Sequence, residues 1–234
     1  MLGDAQWAWL EAALRRPADV RLVVSSVQLA ATGHGWECWN MLPLERDRFV
    51  RLLATVGSET GGRRGNGVIV LSGDRHVGAL YRLNATGDGE PAPYPLWEAT
   101  GSAWTHSYKG EQACGATVGG DGGGDDASAF CVAGLADYAR CPAVNDEDGP
   151  QRVGALVHDE NFGTVDLDWE ERTVRLSLRR AQHRPGVYTP RAGPYDAGAE
   201  LQHVTIRMDE LTCIPHCTAD GSQLDYNWDA DGDD

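Results

Sequence analysis

The segment at residues 67–76 is the part of this sequence that most restricts how the chain can fold. It reads GVIVLS and then Gly73-Asp74-Arg75-His76. Four consecutive aliphatic residues, two of them valines, indicate a strand that is buried on both faces, as in a parallel sheet. Gly73 allows the chain to turn sharply at the carboxyl end of that strand, where α/β proteins place their ligands. The segment therefore predicts an α/β fold with a polar turn at one edge of the sheet.

The polar turn carries a carboxylate and an imidazole two residues apart, at Asp74 and His76. Oxygen and nitrogen donors of this kind suit cations such as Ca²⁺, Mn²⁺, Zn²⁺ or iron. The alternative is that Asp74 caps the turn and His76 is an ordinary surface residue. Arg75 has two interpretations as well, as a bidentate contact to a phosphate oxygen or as a member of an internal ion pair.

Further segments around this turn occur in an order that resembles a known family. They are residues 2–10 (LGDAQWAWL), 18–28 (ADVRLVVSSVQ), 37–40 (ECWN), 94–98 (YPLWE) and 160–163 (ENFG), with Pro43, Glu45 and Arg46. Together with residues 71–76 (LSGDRH), this order and spacing resembles the alkaline phosphatase D (PhoD-like) metallophosphoesterases. The resemblance covers roughly residues 2 to 180.

The resemblance implies a calcineurin-like metallophosphoesterase fold, an α/β/β/α sandwich, and a metal-dependent phosphoric ester hydrolase acting on monoesters or diesters. It implies a centre of calcium and iron with Asp74 and His76 as ligands, and His76 and Arg75 as catalytic residues. The family's upstream half, which carries its first metal-binding carboxylates and a cysteine ligand, has no counterpart in this sequence. We therefore expect a domain that is incomplete at its N-terminal side, with weak or no activity alone.

Five further side chains are candidates for binding the substrate. His34, Glu37 and Asn40 are predicted to lie in the loop between the first strand and the second helix, at the same sheet edge as Asp74. They could face the metals or the substrate, or they could cap the loop. His106 and Asn161 stand in segments that resemble those of the family.

Composition limits the other classes of function. The 234 residues include 20 Lys and Arg against 35 Asp and Glu, which gives a net charge of −15. Because nucleic-acid backbones are bound by clustered basic residues, this balance argues against a nucleic-acid partner. The apolar runs are too short or too often interrupted to span a membrane, so we expect no membrane span. Oligomeric state is left open.

The even number of cysteines, six, favours disulfide bonds and therefore an oxidising compartment. Together with the family resemblance, this predicts an extracellular or secretory-pathway protein, although residues 1–30 contain no signal peptide. A zinc site at Cys213, His216 and Cys217 is an alternative that lacks a fourth ligand. The acidic residues 225–234 could bind calcium or form a solvated tail.

The resemblance implies that residues 1–210 are the C-terminal part of a PhoD-like metallophosphatase domain. Composition adds a Gly-, Asp- and Cys-rich insertion at residues 107–150 and an acidic, cysteine-containing tail at 211–234. Helices are expected at residues 4–16 and 43–56, and strands at 20–29 and 67–71. Short strands follow to residue 207, with a hairpin that pairs residues 164–168 with 174–178. A non-catalytic, exported, disulfide-containing binding or structural module is the alternative to the hydrolase.

Overall fold

A computed structural model describes residues 1–32, 36–58, 67–85, 91–107, 151–181 and 198–211, without the side chains of residues 57, 58, 85 and 91–93. In chain order the elements are α1 (Asp4–Leu14), β1 (Arg21–Val24), a 3₁₀ turn (Trp39–Met41), α2 (Pro43–Ser58), β2 (Val68–Ser72), β3 (Gly78–Ala85), β4 (Pro91–Gly101), β5 (Arg152–Val157), β6 (Asn161–Asp168), β7 (Thr173–Arg180) and β8 (Glu200–Arg207). The eight strands form two sheets.

The first sheet is mixed and has the strand order β1-β2-β4-β3-β5. β1, β2 and β4 are parallel, with Val23 opposite Val70 and Val70 opposite Glu98, whereas β3 runs antiparallel to β4 and β5. β2 lies between two parallel neighbours, and the side chains of Val68, Ile69 and Val70 are at most 1% exposed. The aliphatic run therefore forms the doubly buried strand that the sequence predicts.

Both helices pack on one face of this sheet. α1 buries Trp7 and Leu14, and α2 buries Phe49, Leu53 and Val56, which recur at helical spacing along the two helices predicted at residues 4–16 and 43–56. The indole ring of Trp7 contacts the Phe49 ring edge to face, with 6.1 Å between centroids. These side chains cover Val68 and Val70 of β2 and form the first core.

The second sheet has the order β6-β7-β8 and is antiparallel throughout. Its inner face presents Val174, Leu176 and Leu178 of β7 to the other face of the first sheet, where Ile69 and Leu80 meet them in a second core. The predicted hairpin is present, but its register is shifted by one residue, since residues 164–168 pair with residues 173–177 and not with 174–178. The α/β class with two stacked sheets is also confirmed, and the helices in the described residues lie on one side of the stack.

One predicted strand is much shorter than expected. The strand predicted at residues 20–29 ends at Val24. The hydroxyl of Ser25 donates to the carbonyl oxygen of Val27 at 2.6 Å, and the amides of Leu29 and Ala30 donate to a side chain instead of a neighbouring strand. Side-chain partners replace the ladder here, so the segment forms a loop.

Several predictions fall on residues outside the described part of the chain. These are the body of the insertion (108–150), the acidic tail (212–234) and five of the six cysteines. Cys38, the cysteine within the described residues, is buried. The domain boundaries and the disulfide bonds therefore stay predictions. Among the residues described, no helix has the length and apolar character required to cross a membrane.

Candidate functional site

The turn that follows β2 has an unusual backbone conformation. Asp74 and His76 both have a positive φ, 72° and 56°, and the amide of Arg75 donates to the carbonyl oxygen of Gly73 at 2.9 Å. Left-handed conformations are uncommon outside glycine, although Asp and His adopt them more readily than most residues. Two in one short turn, at the carboxyl end of a central strand, are typical of functional sites, because surrounding structure has to hold them there.

The turn directs its side chains alternately outwards and inwards. Asp74 and His76 are exposed, whereas Arg75 is buried, at 7% exposure. The Arg75 guanidinium carbon lies 5.8 Å from the centre of the Trp36 ring, a cation–π contact with the loop before α2. The two predicted metal ligands therefore face solvent, while the predicted catalytic arginine faces the protein.

A second imidazole lies beside the turn. The ring of His106 contacts the ring of His76 edge to face, with 4.7 Å between centroids. The loop after β4 brings it there, because Ser102 bonds the carbonyl oxygen of Val77 through its amide at 3.3 Å and its hydroxyl at 3.1 Å. The structure thus brings two of the predicted site residues, His76 and His106, into contact.

Asn161 joins the same loop to the second sheet. Its amide donates to the carbonyl oxygen of Ala103 at 2.9 Å, and its side-chain Nδ2 donates to the carbonyl oxygen of Asp159 at 2.8 Å. The side chain is fully buried, and its Oδ1 has no hydrogen-bond partner in the described residues. This oxygen packs against Gly78, where an added Cβ would lie 3.0 Å from it. Asn161, the first residue of β6, is therefore packed against the first residue of β3, two positions after His76.

The other three predicted site residues are less closely connected to the turn. Glu37 and Asn40 are exposed in the segment before α2, and the contacts of the described residues do not bring them together with Asp74. His34 lies outside the described residues. Their role in substrate binding stays a prediction.

A buried carboxylate supports the loops around the turn. Glu98 of β4 is 1% exposed and accepts hydrogen bonds from the amide of Leu29 at 3.0 Å and from that of Ala30 at 2.6 Å. Burial raises the pKa of Glu98, while a bond from Ser72, the two amides and the charge of Arg46 offset part of the increase. Arg46 in turn donates through Nε to the carbonyl oxygen of Leu29 at 2.9 Å. Glu98 therefore holds the loop after β1 against the end of β2.

Neutral polar groups extend this buried network. The side-chain amide of Gln28 donates to the Tyr81 hydroxyl at 3.0 Å and to Thr100 Oγ1 at 3.1 Å, and Thr100 Oγ1 is 2.8 Å from the hydroxyl of Ser72. Glu98 is not among the site residues that the sequence predicts, although it belongs to one of the segments that carry the resemblance. The sequence does contain a signal for this role, an acidic residue within an otherwise largely apolar strand. Such a residue is buried only when its carboxylate oxygens accept hydrogen bonds.

The described residues do not by themselves make a metal centre. No group of three or more His, Cys, Asp or Glu side chains among them is arranged to hold an ion. Asp74, His76 and His106 thus supply separate donors, fewer than a closed site for calcium or iron requires. A shallow groove of about 570 Å³ lies elsewhere, at the β6–β7 hairpin, and is lined by Asp166, Trp169 and Arg175 among others.

Comparison with known proteins gives one structural likeness. No protein-family model matches the sequence, and no curated protein matches it. Among solved structures the chain is similar to one described as the structure of PhoD, with a TM-score of 0.49 and 12% sequence identity. The match covers 90% of this chain and 34% of that chain, so this chain spans about a third of the other protein's length. A likeness at this level assigns neither a family nor the role of any residue.

Proposed function

We propose that this chain is part of a metal-dependent phosphoric ester hydrolase that acts at the turn after β2. The observation that carries the proposal is the pair of left-handed, exposed residues Asp74 and His76 at the carboxyl end of a central parallel strand, with the His106 ring 4.7 Å from that of His76. The resemblance of the sequence to PhoD-like enzymes supports the same reaction class.

In this proposal the proton chemistry belongs to the imidazole of the pair that is not bound to a metal ion, which is His106 when His76 is a ligand. An imidazole in ring contact with a second imidazole can accept a proton from an attacking water or donate one to the oxygen of the leaving group. Both rings belong to loops whose backbone is fixed by hydrogen bonds, so the two loops are positioned before a substrate binds.

Arg75 is the second proposed catalytic residue. Its guanidinium suits two oxygens of a phosphate group, but it is nearly buried and lies over Trp36. We expect a phosphate contact to require movement of the indole ring. His34, Glu37, Asn40, His106 and Asn161 remain the proposed substrate contacts. For Asn161, which is fully buried, a contact would require the loop at Ala103 to move.

Calcium and iron are the ions that the resemblance implies. Asp74 and His76 are the proposed ligands in this chain, and the remaining ligands would have to come from outside the described residues. We therefore propose weak or no hydrolysis by this chain alone. An extracellular or secretory location is proposed on the cysteine count and the resemblance.

The second candidate is a non-catalytic, exported binding or structural module. It is favoured by the absence, among the described residues, of a three-donor cluster for a metal ion. Such a module would keep the fold and the buried network around Glu98 but would not need His76 and His106 in contact.

The test is hydrolysis of p-nitrophenyl phosphate and its bis-ester by the purified chain, with Ca²⁺, Fe³⁺, Mn²⁺ or Zn²⁺ added. Variants Asp74→Ala, His76→Ala and His106→Ala should lose any metal-dependent turnover. The matched control is His203→Ala, because His203 lies on β8 and bonds Glu200 at 2.7 Å instead of the turn. It should keep the wild-type rate.

Turnover that depends on metal and is lost in all three turn variants would support the hydrolase. Turnover that survives the loss of both histidines would contradict the site. No turnover with any metal, together with no binding of Ca²⁺ or Mn²⁺ by calorimetry, would favour the module.

A further inference from the structure

An exposed aromatic surface lies next to the proposed site and has no part in the chemistry described above. Trp104 is 63% exposed, and its ring contacts that of Phe162 edge to face, with 5.1 Å between centroids. Trp104 stands two residues before His106, so their Cα atoms are separated by no more than about 7 Å. We call Trp104 and Phe162 the aromatic platform.

The platform is held by rigid backbone contacts. On one side, Asn161 precedes Phe162 and bonds the carbonyl oxygen of Ala103, the residue before Trp104, at 2.9 Å. On the other, a Cβ added to Gly101 would lie 2.6 Å from the amide nitrogen of Gly163, so the loop and β6 approach as closely as glycine allows. Trp104 therefore belongs to the same loop as His106, and these contacts hold the backbone of that loop against β6.

Its chemistry points to a flat, uncharged ligand group. Phe162 contacts the Trp104 ring edge to face, an arrangement that leaves much of the indole surface open to solvent. Aromatic faces of this kind bind planar rings by stacking, in a manner that tolerates different ring types. With a net charge of −15, the chain as a whole does not attract anions, so stacking would offset part of the repulsion that a phosphate ester meets.

We propose that the aromatic platform stacks a planar ring of the group that leaves with the ester oxygen, the aryl ring of an aryl phosphate or the nucleobase of a nucleoside phosphate, while the phosphate lies at the turn. This proposal rests on the proposed function, because it places the ester bond between Trp104 and the His76–His106 pair. It names the substrate class as aryl or nucleoside phosphate esters rather than esters of small aliphatic alcohols.

The kinetic test compares three substrates: p-nitrophenyl phosphate, adenosine monophosphate and glycerol phosphate. Trp104→Ala should lower kcat/KM about tenfold for the two ring-bearing substrates, with a clearly smaller loss for glycerol phosphate. Trp104→Phe should recover much of the loss, since it restores a ring. The matched control is Trp169→Ala, which removes a tryptophan that is 56% exposed at the distant β6–β7 hairpin and should leave all three rates unchanged.

A binding test keeps this inference separate from the hydrolase. Broadening of the NMR lines of adenosine, which has no phosphate, should occur with the wild-type chain and with Trp169→Ala, and should weaken in Trp104→Ala. Weakened broadening in Trp104→Ala, without turnover of any ester and without binding of Ca²⁺ or Mn²⁺ by calorimetry, would support the platform and overturn the hydrolase. Turnover with equal losses for all three substrates, or adenosine broadening that is unaffected by Trp104→Ala, would overturn the platform and leave the hydrolase standing.

Discussion

Replacement of Glu98, a residue of β4, should destabilise the loops that its carboxylate holds around the turn. Its carboxylate is 1% exposed and accepts bonds from the amides of Leu29 and Ala30 at 3.0 and 2.6 Å. Glu98→Ala leaves both donors buried without an acceptor. At about 1–3 kcal/mol for each orphaned donor, the free energy of unfolding should fall by about 2–6 kcal/mol. A loss at the upper end would consume much of the stability of an ordinary domain.

Glu98→Gln removes the ionisation and retains the shape, so it isolates the pH dependence. Burial raises the pKa of Glu98 in the folded protein above its ordinary value near 4.5. The folded state therefore binds this proton more tightly than the unfolded state does. The corresponding stability is fully present below about pH 4.5 and is lost as the pH rises through the folded pKa, by no more than about 1.4 kcal/mol per pH unit.

The assay is urea unfolding of wild type, Glu98→Gln and Glu98→Ala at several pH values between 4.5 and 8. The stability of wild type relative to Glu98→Gln should decrease as the pH rises. Glu200→Gln, for which the series is extended below pH 4.5, is the control with the opposite sign, because Arg175 lowers the pKa of Glu200 and its contribution is lost only as the pH falls through that lowered pKa. A difference between wild type and Glu98→Gln that grows with pH, or that does not change at all, would refute the reasoning.

Two glycine-related changes give further predictions. Gly101→Ala should lower the free energy of unfolding by about 1–3 kcal/mol, because its Cβ would lie 2.6 Å from the backbone of Gly163. Urea unfolding measures the loss. An unchanged free energy would mean that the loop shifts freely. Gly163→Ala, whose Cβ would meet Ser177 at an ordinary 3.9 Å, is its control. Asp74→Gly should raise the free energy of unfolding by about 0.5–1 kcal/mol, because glycine adopts the positive φ of position 74 without strain. Urea unfolding measures the change, and a decrease would show that the turn is not strained.

The sequence was informative where a periodic apolar pattern decides the structure. The stripes of α1 and α2, the doubly buried β2 and the β6–β7 hairpin all follow from side-chain spacing, since burial of an apolar face fixes which residues point inwards. The polar turn was placed correctly for the same reason, because it begins where the aliphatic run ends.

Sequence reasoning failed where distant side chains replace local backbone bonds. The predicted strand at 20–29 ends early because Glu98, almost 70 positions downstream, takes up the amides of Leu29 and Ala30. Contact between His76 and His106 likewise depends on a loop that is held by Val77 and Asn161. Neither set of contacts produces a periodic pattern in the sequence, so only the folded structure shows them.

The shared position of β2 has a consequence for how the domain unfolds. Val68 and Val70 belong to the core under the helices, whereas Ile69 between them belongs to the core between the sheets. Loss of either core would expose one whole side of the same strand to water. We therefore expect the helical layer and the second sheet to unfold together, and the turn bearing Asp74 and His76 is attached directly to the strand that both cores share.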